Sequence, residues 1–420
     1  MDMRELKGLE IAARSRIGFK DGAWLVPSQT GSGSYRVTLG PSAPACTCDD
    51  FGLRQQPCKH IIAARLVAER DGASKAPPID TDVIPKKPTY TQDWSAYNTA
   101  QATEKRRLQV LLHDLCRNLP ERERSESRRG PKPHLVRDAI FAMAFKVYCG
   151  LSSRRFSTDL LDAHEKGFIT KPIPGAKVTA FFEDDYFTPV LKGLIAHSAR
   201  PLRAVETDFA IDSTGFASTR YERWYDHKYG ATRQKCLWIK AHIASGVKTN
   251  VVTAVRILDK DAADCPQFVP LVKETRRHFE IGEVSADKAY ASLENFEAVA
   301  ECGGQGFMAF KANTTGGVGG LFEKAFHYFQ FNRDEYLDHY HLRSNIESTI
   351  SAIKRKFGDA VMSKTDAAMV NEVLGKLLCH NLTCLIQEQE TLGIVPIFWK
   401  DEDRQADAPA ILPLVRAQRI

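Results

Sequence analysis

The sequence predicts a mixed α/β protein with a small metal-stabilised unit ahead of it. Three observations point there. Between residues 203 and 311, period-two apolar patterns alternate with helical ones. Cys46-x-Cys48 and Cys58-x-His60 place four soft or borderline donors in one short stretch. Ile346, Ile350, Ile353 and Phe357 recur at helical spacing and build one apolar helix face.

Bulk properties narrow the class. A chain of 420 residues allows two or three domains. No apolar run reaches the length of a membrane span, and Met1-Asp2-Met3-Arg4 does not begin a signal peptide, so the expectation is a cytoplasmic protein with no membrane partner. Ten cysteines in such a compartment point to metal or buried thiols, not disulfides. A net charge of +6 permits a nucleic-acid partner without demanding one, so local clustering decides.

Residues 1–75 form the first expected unit. Gly22 to Pro27 and Ser34 to Leu39 predict two short strands joined by a Gly/Ser turn. Cys46, Cys48, Cys58 and His60 suit one tetrahedral zinc, and Ile61 to Ala68 predicts a helix with His60 at its start. The plain alternative is a set of small buried thiols, which two tight pairs disfavour. Strands followed by Cys-x-Cys and Cys-x-His resemble the SWIM zinc finger, which implies binding of DNA or of protein. With no fifth ligand nearby, the expected site is structural and closed. Residues 76–100, with Pro77, Pro78, Pro85 and Pro88, predict an extended linker.

Residues 101–202 predict a mostly helical region. Leu108, Leu111, Leu112, Leu115 and Leu119 give one amphipathic helix, and Val136 to Tyr148 a strongly apolar one. Between and after them stand Arg128, Arg129, Lys132, Arg154 and Arg155, a basic set able to grip phosphates. A solvated charged loop is the bland reading of that set.

Residues 203–391 form the third expected unit, followed by a tail over 392–420. Val205, Thr207, Phe209 and Ile211 alternate with polar residues and predict a strand ending at Asp212. Asp208 shares its face and is the rival acid. Tyr221 to Gly230 predicts a hairpin loop; Lys235 to Ala244 and Asn250 to Leu258 predict two further strands. A helix through Arg277 follows Asp261 and Asp264. Val284 to Ala286 predicts a short buried strand ending at Asp287, and Phe307 to Lys311 another. Thr314 to Gly320 is a glycine-rich loop without the order of a phosphate-binding loop. Asn332 and Glu335 read as a capping box, opening one helix from Arg333 to Gly358. On that helix Tyr340, Arg343, Glu347 and Lys354 fall within about 60° of one another. A second apolar helix spans about Met369 to Ile386, with Cys379 and Cys384 as core thiols.

From the helix alone, Arg343 and Glu347 are an ordinary i,i+4 ion pair. The two aspartates upstream change its meaning. Three carboxylates on two strands and a helix are what two hard cations need, since magnesium takes oxygen ligands and keeps waters for substrate phosphate.

Tyr340-x2-Arg343-x3-Glu347-x6-Lys354 resembles the signature of DDE transposases from bacterial insertion sequences. Asp212 in Ile-Asp-Ser-Thr and Asp287 in Ala-Asp-Lys-Ala-Tyr resemble that family's other acids. The similarity runs from about residue 130 to 390. It implies an RNase H-like catalytic domain, with residues 101–202 serving DNA-end recognition. It also implies Asp212, Asp287 and Glu347 as catalytic ligands of two Mg²⁺ (or Mn²⁺) ions. Tyr340, Arg343 and Lys354 would bind phosphates, and the protein would act as a homodimer on double-stranded element ends and target DNA. Cleavage and joining would proceed without a covalent enzyme intermediate. Little room between Asp287 and Glu347 speaks against the β-strand insertion of some relatives, and against hairpin excision. Two other functions stand beside this one: a nuclease that cuts without joining, and a transposase-derived zinc-finger regulator with an inert core.

Overall fold

The computed structural model describes residues 3–29, 33–40, 44–70, 93–122, 133–218, 238–259, 263–311, 314 and 317–399. The chain divides into two compact units, Met1–Thr91 and Gln92–Ile420.

In the first unit, helix α1 (Met3–Arg14) precedes strands β1 (Gly18–Lys20), β2 (Ala23–Pro27), β3 (Ser34–Leu39) and β4 (Pro44–Cys46). They form an antiparallel sheet in chain order. Helices α2 (Asp49–Arg54) and α3 (Lys59–Arg70) follow. Val26, Val37 and Cys46 point inward and meet Ile11, Ile61, Ala63 and Ala64. Helices α1 and α3 cross closely at Gly8, where a Cβ would stand 2.7 Å from Ile62 Cγ2. Strands β2 and β3 are where the sequence predicts them. At three residues each, β1 and β4 are too short to show a period.

The second unit opens with helices α4 (Trp94–Cys116), α5 (Val136–Cys149), α6 (Ser153–Glu165), α7 (Gly175–Phe182) and α8 (Phe187–Ala199). Strands β5 (Asp208–Ala217), β6 (Trp238–Gly246) and β7 (Val252–Asp259) come next, then helix α9 (Cys265–Arg276). Strand β8 (Glu283–Ala286), helix α10 (Leu293–Glu301), strand β9 (Gln305–Met308) and helices α11 (Gly320–Phe331) and α12 (Arg333–Tyr340) follow. Helices α13 (Ser344–Phe357) and α14 (Asp366–Thr391) complete the described elements.

The sheet order is β7-β6-β5-β8-β9. Strand β6 is antiparallel to β5 and β7, whereas β5, β8 and β9 are parallel. This is the mixed α/β fold the sequence predicts. Helix α14 packs against α4, α5, α7, α8 and β7, and one hydrophobic core joins these helices to the sheet. Its buried Asn381 donates to the Ile195 carbonyl (3.0 Å) and the Val252 carbonyl (2.7 Å), tying helix layer to sheet. Gly246 is required where it stands: a Cβ there would lie 2.4 Å from Cδ of the buried Glu206.

Several expectations need correction. Strand β5 does not end at Asp212 but runs on to Ala217, because its ladder with β6 holds Ser213, Thr214 and Gly215 extended. Cross-strand bonds override the turn character of that sequence. The helix expected from Arg333 to Gly358 is interrupted by a 3₁₀ turn at His341–Arg343. That turn packs on β5 and β8, so tertiary contact sets the break. No capping box forms, and the Asn332 amide donates to the Glu335 carboxylate instead (3.4 Å). The interval between Asp287 and Glu347 holds α11 as an unforeseen helix, drawn in by Phe322, Phe326 and Phe329 around Phe310. Among its described residues, β9 is the sole strand. Helix α4 begins at Trp94, inside the stretch read as linker. Tyr221–Gly230, Asp261 and most of the linker lie outside the described residues.

Candidate active site and metal centre

Two of the acids stand where the parallel part of the sheet ends. The last register pair between β5 and β8 is Ile211 with Ala286. Asp212 and Asp287 are therefore the next residues on two neighbouring strands. The chain leaves the sheet at Asp287, whose Oδ1 accepts from the Lys288 N–H (2.7 Å) as the cap of a 3₁₀ turn. Asp212 stays in strand, and its Oδ1 accepts from the Ser213 N–H (2.8 Å).

Helix α13 brings the third acid. Ile346 and Ile353 are buried in the core, Ile350 and Phe357 pack on it, and Glu347 stands outside that face. Thr349 donates to the Asn250 side chain (3.0 Å), fixing the helix to the β6–β7 turn. Helix α12 is pinned to the other edge of the sheet. The Tyr336 hydroxyl donates to the Met308 carbonyl (2.8 Å) and accepts from the Met308 N–H (3.0 Å). His339 bonds Glu283 (2.9 Å) and stacks on Phe307 at 4.6 Å. Sequence reasoning missed these anchors, because each joins residues that no period relates.

Arg343, in the turn between α12 and α13, is the hub. Its Nη1 lies 3.1 Å from Asp212 Oδ2, and its Nη2 pairs with Glu347. The i,i+4 pair is real, yet its arginine is only 21 % exposed and reaches across to the sheet. Burial pushes the Asp212 carboxyl up; the Ser213 N–H and Arg343 oppose this, while Asp287 and Glu347 add to it. Burial works against the Arg343 charge, but Tyr340, Glu347, Asp212 and Asp287 outweigh it and hold the guanidinium protonated. Burial also raises the Tyr340 phenol, which Arg343 moderates.

A cleft of about 640 Å³ opens beside these acids, lined by Asp212, Ser213, Thr214, Glu347, Lys354 and Arg355 among others, with Asp359 at its wall. Lys354 is half-buried, and that burial lowers its ammonium pKa against the pull of Asp359. Arg355 and Asp359 escaped sequence reasoning; only their adjacency to Lys354 and to the end of α13 signals them. Asp208 sits at the opposite end of β5 and accepts from Thr207 (3.2 Å). Arg154 and Arg155 are exposed on α6, while Arg128, Arg129 and Lys132 lie outside the described residues.

The donor chemistry of Asp212, Asp287 and Glu347 fits hard divalent cations. They are an open set: among the described residues only the cysteine–histidine group brings three or more candidate ligand atoms within 4.8 Å of one another. That group is Cys46, Cys48, Cys58 and His60, all buried. His60 Nδ1 is 3.9 Å from the sulfurs of both Cys46 and Cys58. Such separations suit four donors around one tetrahedral zinc. The crowded thiols compete for protons: the bond with Cys58 pushes Cys46 up, and the same bond pulls Cys58 down. A bound cation relieves that competition.

Set beside known proteins, residues 203–382 match the family model of the transposase DDE domain. Residues 35–67 match that of the SWIM zinc finger. The chain thus carries a transposase DDE domain and, ahead of it, a SWIM zinc finger, as the motifs imply. No curated protein matches it. Among solved structures it is similar to the cryo-EM structure of a piggyBac transposase synaptic complex with hairpin DNA. The identity is 9 %, over 74 % of this chain and 87 % of that one, and the TM-score of 0.31 is too low to equate the folds. No helix among the described residues is long and apolar enough to cross a membrane.

Proposed function

We propose that this protein is a DNA transposase that cleaves element ends and joins the 3′-hydroxyl to target DNA. One observation carries the reading. Asp212 and Glu347, far apart in sequence, pair with a single arginine at the end of the sheet where Asp287 leaves the neighbouring strand, all within residues that match the DDE domain.

Asp212, Asp287 and Glu347 would hold the divalent ions. Two such ions would supply an activated oxygen nucleophile at neutral pH and offset charge on the leaving 3′-oxygen during in-line displacement. The chain's own residues do the rest. Arg343 has a planar fork suited to bidentate phosphate contact, and it lies between the two acids beside the cleft. Lys354 lines the cleft as a point charge for the backbone. Tyr340 interacts with Arg343 and orients it. Arg154 and Arg155 on α6, with Arg128, Arg129 and Lys132, serve the DNA ends within residues 101–202. Pairing two ends calls for two copies of the chain. The SWIM finger, assigned to residues 1–75, holds one zinc.

The test is incubation of the protein with duplexes from the DNA flanking its reading frame, in Mg²⁺. Cleaved ends and joined products are expected. Cutting without joining makes the protein a nuclease; binding without cutting makes it a regulator with an inert core. Either outcome overturns the proposal.

A further inference from the structure

The far wall of the cleft is held by residues to which the proposed chemistry gives no part. After α13, residues 358–363 turn back along the end of β5. The Ala217 N–H donates to the Asp359 carbonyl (3.3 Å), and the Val361 N–H donates to the Ala217 carbonyl (2.8 Å). This sets Asp359 in the wall beside Lys354.

Two charged side chains of α14 grip the same segment from behind. Lys376 is 2 % exposed, and its Nζ donates to the carbonyls of Gly358 (3.1 Å) and Ala360 (2.7 Å). Glu372, one turn earlier, accepts from the N–H groups of Met362 (3.0 Å) and Ser363 (2.8 Å). The two lie 3.7 Å apart. A buried ammonium needs its donors met, and two of the three go to this one segment. The cation thus meets carbonyls and the anion meets N–H groups, so both ends of the turn are clamped by one pair.

A buried ion pair is a poor stabiliser, because desolvation consumes most of its attraction. Its location therefore matters more than its energy. Lys376 Nζ lies 5.6 Å from the centre of the Phe216 ring, and Lys354 Nζ lies 5.4 Å from that same ring. Phe216 follows Asp212 by four residues on β5, on the same strand face. The ring is a shared floor for a buried cation and a cleft cation. Lysine has a flexible four-carbon stem, so a point charge on it is placed only if its surroundings place it.

We propose that Glu372 and Lys376 are positioning residues: through Phe216 and residues 358–363 they hold Lys354 at the phosphate-binding end of the cleft. The inference rests on the reading of Lys354 as a phosphate ligand.

The test is a double-mutant cycle in the full-length protein between Lys354→Ala and Lys376→Met. Phe216→Leu serves as a third variant that leaves the buried pair intact. The probe is linear duplex from the DNA flanking the reading frame. The readouts are the salt slope of binding in Ca²⁺ and cleavage in Mg²⁺. Lys376→Met is expected to flatten the slope by about one unit, as Lys354→Ala does. Cleavage is expected to fall ~10- to 100-fold, the cost of a misplaced group near the chemistry. In the Lys354→Ala background, Lys376→Met should change neither readout further. Phe216→Leu should show the same dependence on Lys354, and it decides the matter if Lys376→Met does not fold. Effects that multiply, instead of vanishing, mean a purely structural role and overturn the inference while Lys354 keeps its part. If Lys354→Ala alone alters neither readout, Lys354 is no phosphate ligand and both readings fall together.

Discussion

The two candidate metal centres are built in opposite ways. The cysteine–histidine centre takes all its candidate ligands from one short stretch of sequence, Cys46 to His60, and buries them together. The acid centre takes its candidate ligands from separate parts of the chain and leaves them open, with Arg343 among them. The first is closed and local, suited to holding a fold. The second is open and non-local, suited to exchanging ligands. The contrast shows why one centre can be a folding device and the other a working site: a closed set has no place for substrate, whereas an open set does.

The sharpest way to break this comparison is to remove charge from the open centre alone. Asp212→Asn, Asp287→Asn or Glu347→Gln should each lower Mg²⁺-dependent cleavage by more than about 100-fold, the upper range seen when even an outer partner of a metal is lost. Melting temperature and DNA binding should hold. Asp208→Asn, at the other end of β5, should be milder. Near-normal cleavage by any one of the three removes that residue from the site.

The closed centre should respond through folding instead. Cys58→Ser, or chelation, should cost the first unit on the order of 10 kcal/mol of metal-linked stability. Hydrogen exchange at Val37 and Ile61 should then lose its protection, while metal analysis of the intact chain gives one zinc. Absence of stoichiometric zinc, or unchanged protection after chelation, would remove the structural role.

Arg343 tests the link between openness and function. Arg343→Ala should flatten the salt slope of DNA binding by about one unit and reduce cleavage with it. The Glu347 partner is largely exposed, so its loss should cost no more than about 1 kcal/mol of stability, with a further loss from the half-buried Asp212. A lower melting temperature with an unchanged slope would make the guanidinium a structural counter-ion and nothing more.

The smallest effect provides a baseline from an acid outside both centres. Burial raises the Glu388 carboxyl of α14 to about 6, with Glu206 adding to it. Because the folded value lies above the ordinary 4.5, the group favours the folded state below pH 4.5 and loses that contribution as pH rises through about 6. Glu388→Gln should therefore add stability above pH 6, less than about 1 kcal/mol after solvent screening, and none at pH 4. Melting curves across that range decide it.

Much of this was legible in the residues, and the reason is locality. The cysteine–histidine group declares itself because a tetrahedral cation calls for close spacing along the chain. Strands β2 and β3, helices α5 and α14, and the apolar face of α13 declare themselves through period. Tyr340, Arg343, Glu347 and Lys354 are close in sequence, so their spacing carries a family resemblance without any fold. Other features depend on partners that no local pattern names. Strand β5 continues past Asp212 only because β6 lies alongside, and the 3₁₀ turn at His341–Arg343 appears only because β5 and β8 lie beneath it. Arg343 reaching Asp212, Tyr336 bonding Met308, and Lys376 clamping residues 358–363 each join groups many residues apart. Sequence alone named the candidate side chains; the sheet register and the packing of α12 to α14 decided which of them meet, because hydrogen bonds between strands and burial between helices act across space and not along the chain.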